Sequence, residues 1–154
     1  MADLVTELAA SETHDLRRRV LRSATPHSDL VWPGDDLATT LHLGVVAGDD
    51  AVVVAISTWL RTASPDIAGT GHVGSQLRGM ATDPSVRGSG IGSLLLRAGI
   101  ERAERNGADH VWANARSTVL DFYVAHGFEI ASEEFLSAET AIAHRRVLRR
   151  RPGS

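Results

Sequence analysis

Gln76-Leu77-Arg78-Gly79-Met80-Ala81-Thr82, then Asp83-Pro84-Ser85-Val86, then Arg87-Gly88-Ser89-Gly90-Ile91-Gly92-Ser93-Leu94-Leu95-Leu96, reads as strand, turn, glycine-rich loop and helix. Gly88, Gly90 and Gly92 alternate. Backbone N–H groups can therefore crowd together without Cβ interference where a helix begins and its positive dipole end is exposed. Such a place suits a phosphate or pyrophosphate. The helix itself is well patterned. Ile91, Leu94, Leu95 and Ala98 fall at i, i+3, i+4 and i+7, while Arg97, Glu101 and Arg105 follow one another at i+4 on another face. Gly107 supplies a C-cap.

Three kinds of glycine-rich loop compete for this stretch. A P-loop needs a lysine, and every one of the sixteen basic residues is Arg, so that reading is excluded. A dinucleotide-binding loop needs G-x-G-x-x-G directly after a strand. Here Ser93 stands where the third glycine would be, and residues 83–87 intervene between strand and loop, although Asp109 lies at a distance that suits a ribose ligand.

The third kind is a resemblance. Arg87, Gly90 and Gly92 meet the Arg/Gln-x-x-Gly-x-Gly/Ala pattern with which GNAT N-acetyltransferases hold the pyrophosphate of acetyl-CoA. Downstream, Phe122-Tyr123-Val124-Ala125-His126-Gly127-Phe128 resembles the later signature of that superfamily, a Tyr-bearing helix ending at Gly-Phe. The likeness is best over residues 72–130.

Length and composition bound the rest. At 154 residues the chain suits one domain, 1–154, large enough for its own core. A formal net charge of −3 argues against a generic nucleic-acid binder. No apolar run reaches the roughly 20 residues of a membrane span, so the expected location is cytoplasmic, with neither nucleic acid nor membrane as partner. Without cysteine there is no thiolate metal site or cysteine nucleophile, and without lysine no Schiff base. The seven histidines are scattered, so no metal site is expected. This supply suits an enzyme in which two bound substrates react directly.

Along the chain, residues 4–9 suggest a first strand, and Ser11 to His14 offer N-caps for a helix through Leu16, Val20 and Leu21, whose Arg17, Arg18, Arg19 and Arg22 read as a solvated basic face or as a rim for an acidic group of a substrate or partner. Residues 23–37, with Pro26, Pro33 and Gly34, form a long loop; the resemblance implies that it shapes the acceptor site with Trp32, which could equally cap the core edge. Residues 40–47 and 51–61 make a hairpin around Gly48-Asp49-Asp50. Residues 64–74 read as a mobile connector. Gly79 weakens a strand unless a bulge or close backbone approach requires it, and Arg78 should face a cleft or pair with a carboxylate. Residues 109–115 form a strand, Ser117 an N-cap, 128–131 and 141–148 the last strands, and 149–154 a solvated tail.

The resemblance implies a mixed α/β fold: a mostly antiparallel sheet that opens at one parallel strand pair, flanked by helices. It also implies an acetyl-CoA-dependent N-acetyltransferase acting on an amine acceptor, or alternatively a non-catalytic acyl-CoA-binding module of the same fold. Carried over by position, Met80, Ala81 and Thr82 would meet the pantetheine arm. Arg87, Gly88, Ser89, Gly90, Ile91, Gly92 and Ser93 would hold the pyrophosphate. Asn114, Arg116 and Phe122 would lie along the CoA arm, with Arg116 standing where many members have Asn. Tyr123, the sole tyrosine, would protonate the leaving thiolate. His42, His144, Glu134 or a water relay would take the acceptor's proton. A homodimer is left open.

Overall fold

The computed structural model describes residues 5–25 and 27–153, so Leu4, Pro26 and Ser154 lie outside the described residues. The chain divides into two compact units. Unit 1 holds Met1–Leu60 with Arg78–Arg102, and unit 2 holds Arg61–Leu77 with Ala103–Ser154.

In unit 1, β1 (Val5–Glu7), β2 (Leu41–Ala47) and β3 (Val52–Arg61) pair antiparallel, with Val5 opposite Val45 and Leu41 opposite Trp59. The β2–β3 turn falls at Gly48–Ala51, as the β-branched runs on either side of Gly48-Asp49-Asp50 predict. Between β1 and the long loop the chain is helical in three successively wider modes: a 3₁₀ turn over Ala10–Thr13, α1 (His14–Leu16) and a π turn over Arg17–Leu21. β4 (Gly74–Thr82) leads into the loop and α2 (Ile91–Arg105), and both β4 and α2 run from one unit into the other. Leu95, Leu96 and Ile100 are buried, and Arg97 and Glu101 are exposed, as the helical period requires. Gly99 has a packing reason that the sequence does not reveal. A Cβ there would sit 1.8 Å from Cζ2 of Trp59, whose indole N–H donates to Ser57 Oγ at 2.9 Å.

In unit 2, the first half of β4 pairs in parallel with β5 (His110–Arg116), from Gly74 opposite His110 to Leu77 opposite Ala113. Parallel pairing is what a helical crossover between these strands demands. The ladder stops there, although β4 continues to Thr82 and β5 to Arg116. On its other edge β5 is antiparallel to β8 (Ala143–Arg150), which also receives β6 (Glu129–Ile130) and β7 (Phe135–Leu136). The mixed α/β class with a mostly antiparallel sheet is thus the one expected. Gly107, at φ 97°, ends α2 in a double cap: its N–H donates to Glu104 O at 3.0 Å, and that of Ala108 donates to Ala103 O at 3.0 Å.

Four expectations need correction. The arginines of residues 17–22 are only in part a solvated face: Arg18 and Arg19 are exposed, Arg19 pairing with Asp15 and Asp83, but Arg17 is 0% exposed and ion-paired. The C-terminal arginines are not all tail. Arg149 and Arg150 belong to β8, and Arg149 bonds Glu104 at 2.8 Å. Residues 64–74 are anchored: the Ser64 amide donates to His110 Nε2, and Asp66 takes two bonds from Arg146, at 2.7 and 3.1 Å. Ser117 does not cap its helix, since its hydroxyl donates to Glu134 Oε1 at 2.8 Å. Among the described residues, no helix is long and apolar enough to cross a membrane.

Candidate active site

The loop before α2 faces open space at its glycines. Gly88 and Gly90 sit at φ 80° and 85°, and a Cβ at either would have no atom within 4 Å. Glycine is required there by backbone conformation alone. The Leu94 N–H bonds Gly90 O at 3.0 Å, so helical pairing begins at Leu94. The amides of Ile91, Gly92 and Ser93 belong to the first turn, which has no intrahelical partner to offer. Arg87 and Ser89 are exposed, and Arg87 has no side-chain partner among the described residues. Donors, positive dipole and open space together fit a diphosphate.

Behind this loop, Met80 and Thr82 are half-buried and Ala81 is buried. Gly79 has φ 62°, and a Cβ would come within 2.6 Å of Cζ3 of Trp32. The close approach expected at this glycine is therefore made by Trp32. That indole is held from several sides. Arg17 lies 3.8 Å, Arg22 4.8 Å and Arg78 5.8 Å from its ring centre, and its N–H donates to Asp29 O.

The centre of this arrangement is Asp35, which sequence reading does not single out. Oδ2 accepts Arg17 Nη1 at 2.6 Å and the Trp32 amide at 2.9 Å; Oδ1 accepts Arg17 Nη2 at 3.1 Å and Arg78 Nη2 at 3.0 Å. Arg78 thus pairs with a carboxylate, as expected of a charge on β4. Burial alone would raise the Asp35 carboxyl. The hydrogen bonds from Arg17 and the Trp32 amide, with the charges of Arg17 and Arg78, outweigh it and hold it at about 2.

His42 belongs to the same network. Arg17 Nη2 donates to Thr58 Oγ1 at 2.9 Å, so the Thr58 hydroxyl can give its hydrogen to His42 Nδ1 at 2.9 Å. His42 Nε2 donates to Asp35 O at 2.9 Å, so both ring nitrogens are engaged. No lone pair is left to take a substrate proton.

Unit 2 carries the other expected residues. α3 (Leu120–Val124) follows a 3₁₀ turn and ends near Gly127, at φ 86°. Tyr123 is buried between Phe122 and Phe128, with ring centres 5.3 and 5.4 Å away, both edge to face. Desolvation pushes its phenol up to about 12. At neutral pH it is a proton carrier, and its hydroxyl bonds no described residue. Asn114 is exposed near the end of β5, and Arg116 is half-buried opposite His144. His144 donates from Nδ1 to Ile142 O at 2.7 Å and stacks on Phe135, 6.0 Å between ring centres. Its Nε2 has no partner among the described residues. Glu134 accepts from Ser117, as noted. Asp109 is no free ribose ligand, because His110 and His72 both donate to it, at 2.5 and 3.1 Å. Among the described residues no cluster of His, Cys, Asp or Glu could hold a metal.

Against known proteins, residues 42–130 match the family model of the acetyltransferase (GNAT) domain, more than half of the chain. The chain belongs to the GNAT acetyltransferase family. As a family member it is an acyltransferase. It is similar to an N-acetyltransferase of Bacillus subtilis strain 168, YitI, itself described as uncharacterized, at 28% identity over 131 residues and 85% of each chain. In fold it is similar to an acyl-CoA N-acyltransferase from Pseudomonas aeruginosa, with TM-score 0.74 at 22% identity, covering 94% of this chain and 97% of that one. It also resembles an aminoglycoside 6'-N-acetyltransferase solved with coenzyme A, with TM-score 0.70 at 13% identity, covering 96% and 98%.

Proposed function

We propose that this acetyltransferase acts as one domain that moves an acetyl group directly from acetyl-CoA to an amine. The observation that carries the donor assignment is the loop of residues 87–93, where two glycines at positive φ, with nothing within 4 Å of where a Cβ would stand, lead onto the unpaired first turn of α2. Those amides and Arg87 would hold the pyrophosphate, and the backbone of Met80 to Thr82 would take the pantetheine arm as an added strand. Asn114, Arg116 and Phe122 keep their resemblance-based place along that arm.

The amine nitrogen attacks the thioester carbonyl, the C–S bond breaks, and the proton lost by the amine must reach a base while the thiolate receives a hydrogen bond or a proton. An ordinary amine, with pKa near 10.4, is mostly protonated at neutral pH and needs such a base. His144 fits this role better than His42, whose two ring nitrogens are both bonded, because its Nε2 has no partner among the described residues; Glu134, whose Oε2 is likewise unbonded among them, is the other candidate base. Tyr123 serves the sulfur. Full proton transfer from a phenol at about 12 to a thiolate of ordinary pKa, about 8.5, runs uphill by roughly 5 kcal/mol. Tyr123 therefore stabilises the departing sulfur chiefly as a hydrogen-bond donor, and the net proton comes from the acceptor.

Thiol release across a panel of amines, beside acetyl-CoA calorimetry, tests this reading. Tyr123→Phe keeps the ring and removes the donor, so single-turnover acetyl transfer should fall about tenfold or more with acetyl-CoA affinity nearly unchanged. Unimpaired chemistry in that variant would return Tyr123 to a packing role.

A further inference from the structure

The bonds around Asp35 leave one charge unspent. Its two oxygens accept four hydrogen bonds, two from Arg17, one from Arg78 and one from the Trp32 amide, which fills the capacity of a carboxylate. Two guanidiniums therefore share one carboxylate. Neither Asp29, which accepts the Val31 amide, nor Asp36 bonds Arg17 or Arg78. Arg17 is sealed, but the Arg78 side chain is 19% exposed. Arg78 makes both its bonds, to Pro33 O and Asp35 Oδ1, through Nη2. Its Nη1 is bonded to no described residue, and the guanidinium is already held in place. It adjoins Gly79 and Met80, beside the backbone that the proposed function assigns to the acyl-bearing arm.

We propose that the acceptor is a small amine that also carries a carboxylate, and that Arg78 Nη1 receives it beside the face of Trp32. This rests on the reading of the enzyme as an acetyl-CoA-dependent N-acetyltransferase. A fixed donor with an uncompensated positive charge attracts an anion and repels a polycation, so the same feature selects amino-acid-like amines and rejects polyamines.

The test compares amino acids with the amines made by removing their carboxylate: leucine with 3-methylbutylamine, phenylalanine with 2-phenylethylamine, and spermidine as the polycation. Thiol release is read as kcat/KM per neutral amine. The amino acid of a pair should exceed its amine by about tenfold or more, the scale of one hydrogen bond to a charged group. Arg78→Gln should erase most of that ratio, mainly through KM, and Arg78→Lys should restore part of it. Acetyl-CoA affinity should be the same in all three proteins. Should Arg78→Gln fail to fold, 4-methylpentanoate and its amide are tried on the wild type. The acid should compete with the acceptor and not with acetyl-CoA, and the amide should not compete. The proposal is overturned if spermidine or the bare amines are the better acceptors, if folded Arg78→Gln keeps the ratio, or if Arg78→Gln weakens acetyl-CoA binding instead. Absence of thiol release with every amine would count against the parent reading as well, and normal acetyl-CoA binding in that case would locate the failure in the acceptor.

Discussion

Two loops of unit 1 handle positive charge in opposite ways. Around the loop of residues 28–40 most donors are spent: Asp35 consumes Arg17 and one nitrogen of Arg78, leaving Arg78 Nη1, and Trp32 is fixed against three guanidiniums and the backbone of Gly79. In the loop of residues 87–90 the Arg87 and Ser89 amides bond Pro84 O and Val86 O, but the Arg87 side chain has no partner among the described residues and nothing lies within 4 Å of a Cβ built on Gly88 or Gly90. The difference separates a wall that the protein organises for itself from an open loop, the one proposed above as the acetyl-CoA cradle. Burying an ion pair is costly unless its hydrogen bonds are complete, and in the first loop they nearly are, the buried Nε atoms of Arg17 and Arg78 excepted.

The comparison breaks most easily at Arg17. Arg17→Met should leave the Asp35 carboxylate buried without its main partner and cost about 3–5 kcal/mol by urea unfolding. A loss below about 1 kcal/mol would mean that the network does not fix the wall. Next comes Gly79→Ala, which meets both left-handed strain of about 1–2 kcal/mol and the Trp32 ring, the latter adding about 1–3 kcal/mol. The variant should unfold at lower urea and change its tryptophan emission.

Acid provides a graded version of the first test. The folded Asp35 value, about 2, lies below that of the unfolded chain. Its contribution, roughly 2–3 kcal/mol, is therefore full above about pH 4 and fades as pH falls through about 2. Arg17→Met should flatten that part of the stability profile, and an unchanged profile would assign the acid sensitivity to other carboxylates. Smallest is Gly88→Ala, where φ is 80° and nothing lies near the new methyl. Only backbone strain of about 1–2 kcal/mol is expected, and a thermal melt as low as that of Gly79→Ala would contradict the contrast between the loops.

Much of this was legible from local pattern. The start of α2 at Ile91, its buried face, the hairpin turn and the parallel crossover all follow from spacing within some thirty residues. What escaped depends on distant partners. Nothing near Arg17 marks it as buried, because its carboxylate lies eighteen residues away and its hydroxyl partner, Thr58, forty-one. Ser117 was a plausible cap until Glu134, seventeen residues on, claimed its hydroxyl. β7 has only two residues, too few for a period to register, and β8 hides its last residues under a run of arginines, of which Arg149 pairs with Glu104 on α2 and Arg150 lies by Glu129. In the site, the loop and the Tyr-bearing helix were readable as motifs. The commitment of His42 to Asp35 and Thr58, and the freedom of His144 Nε2, required the hydrogen bonds themselves.

The central claim is that the loop of residues 87–93 is the acetyl-CoA cradle, and calorimetry of acetyl-CoA with wild type, Gly90→Val and Gly48→Val tests it most directly. Gly48 provides the control, since it too has positive φ, 77°, and no atom within 4 Å of a new Cβ, but lies in the β2–β3 turn. Strain is thus matched and only location differs. The wild type and Gly48→Val should bind acetyl-CoA alike, and Gly90→Val should remain folded and bind at least about tenfold more weakly, having lost a close approach to the first-turn amides. Wild-type affinity in a folded Gly90→Val would contradict the assignment.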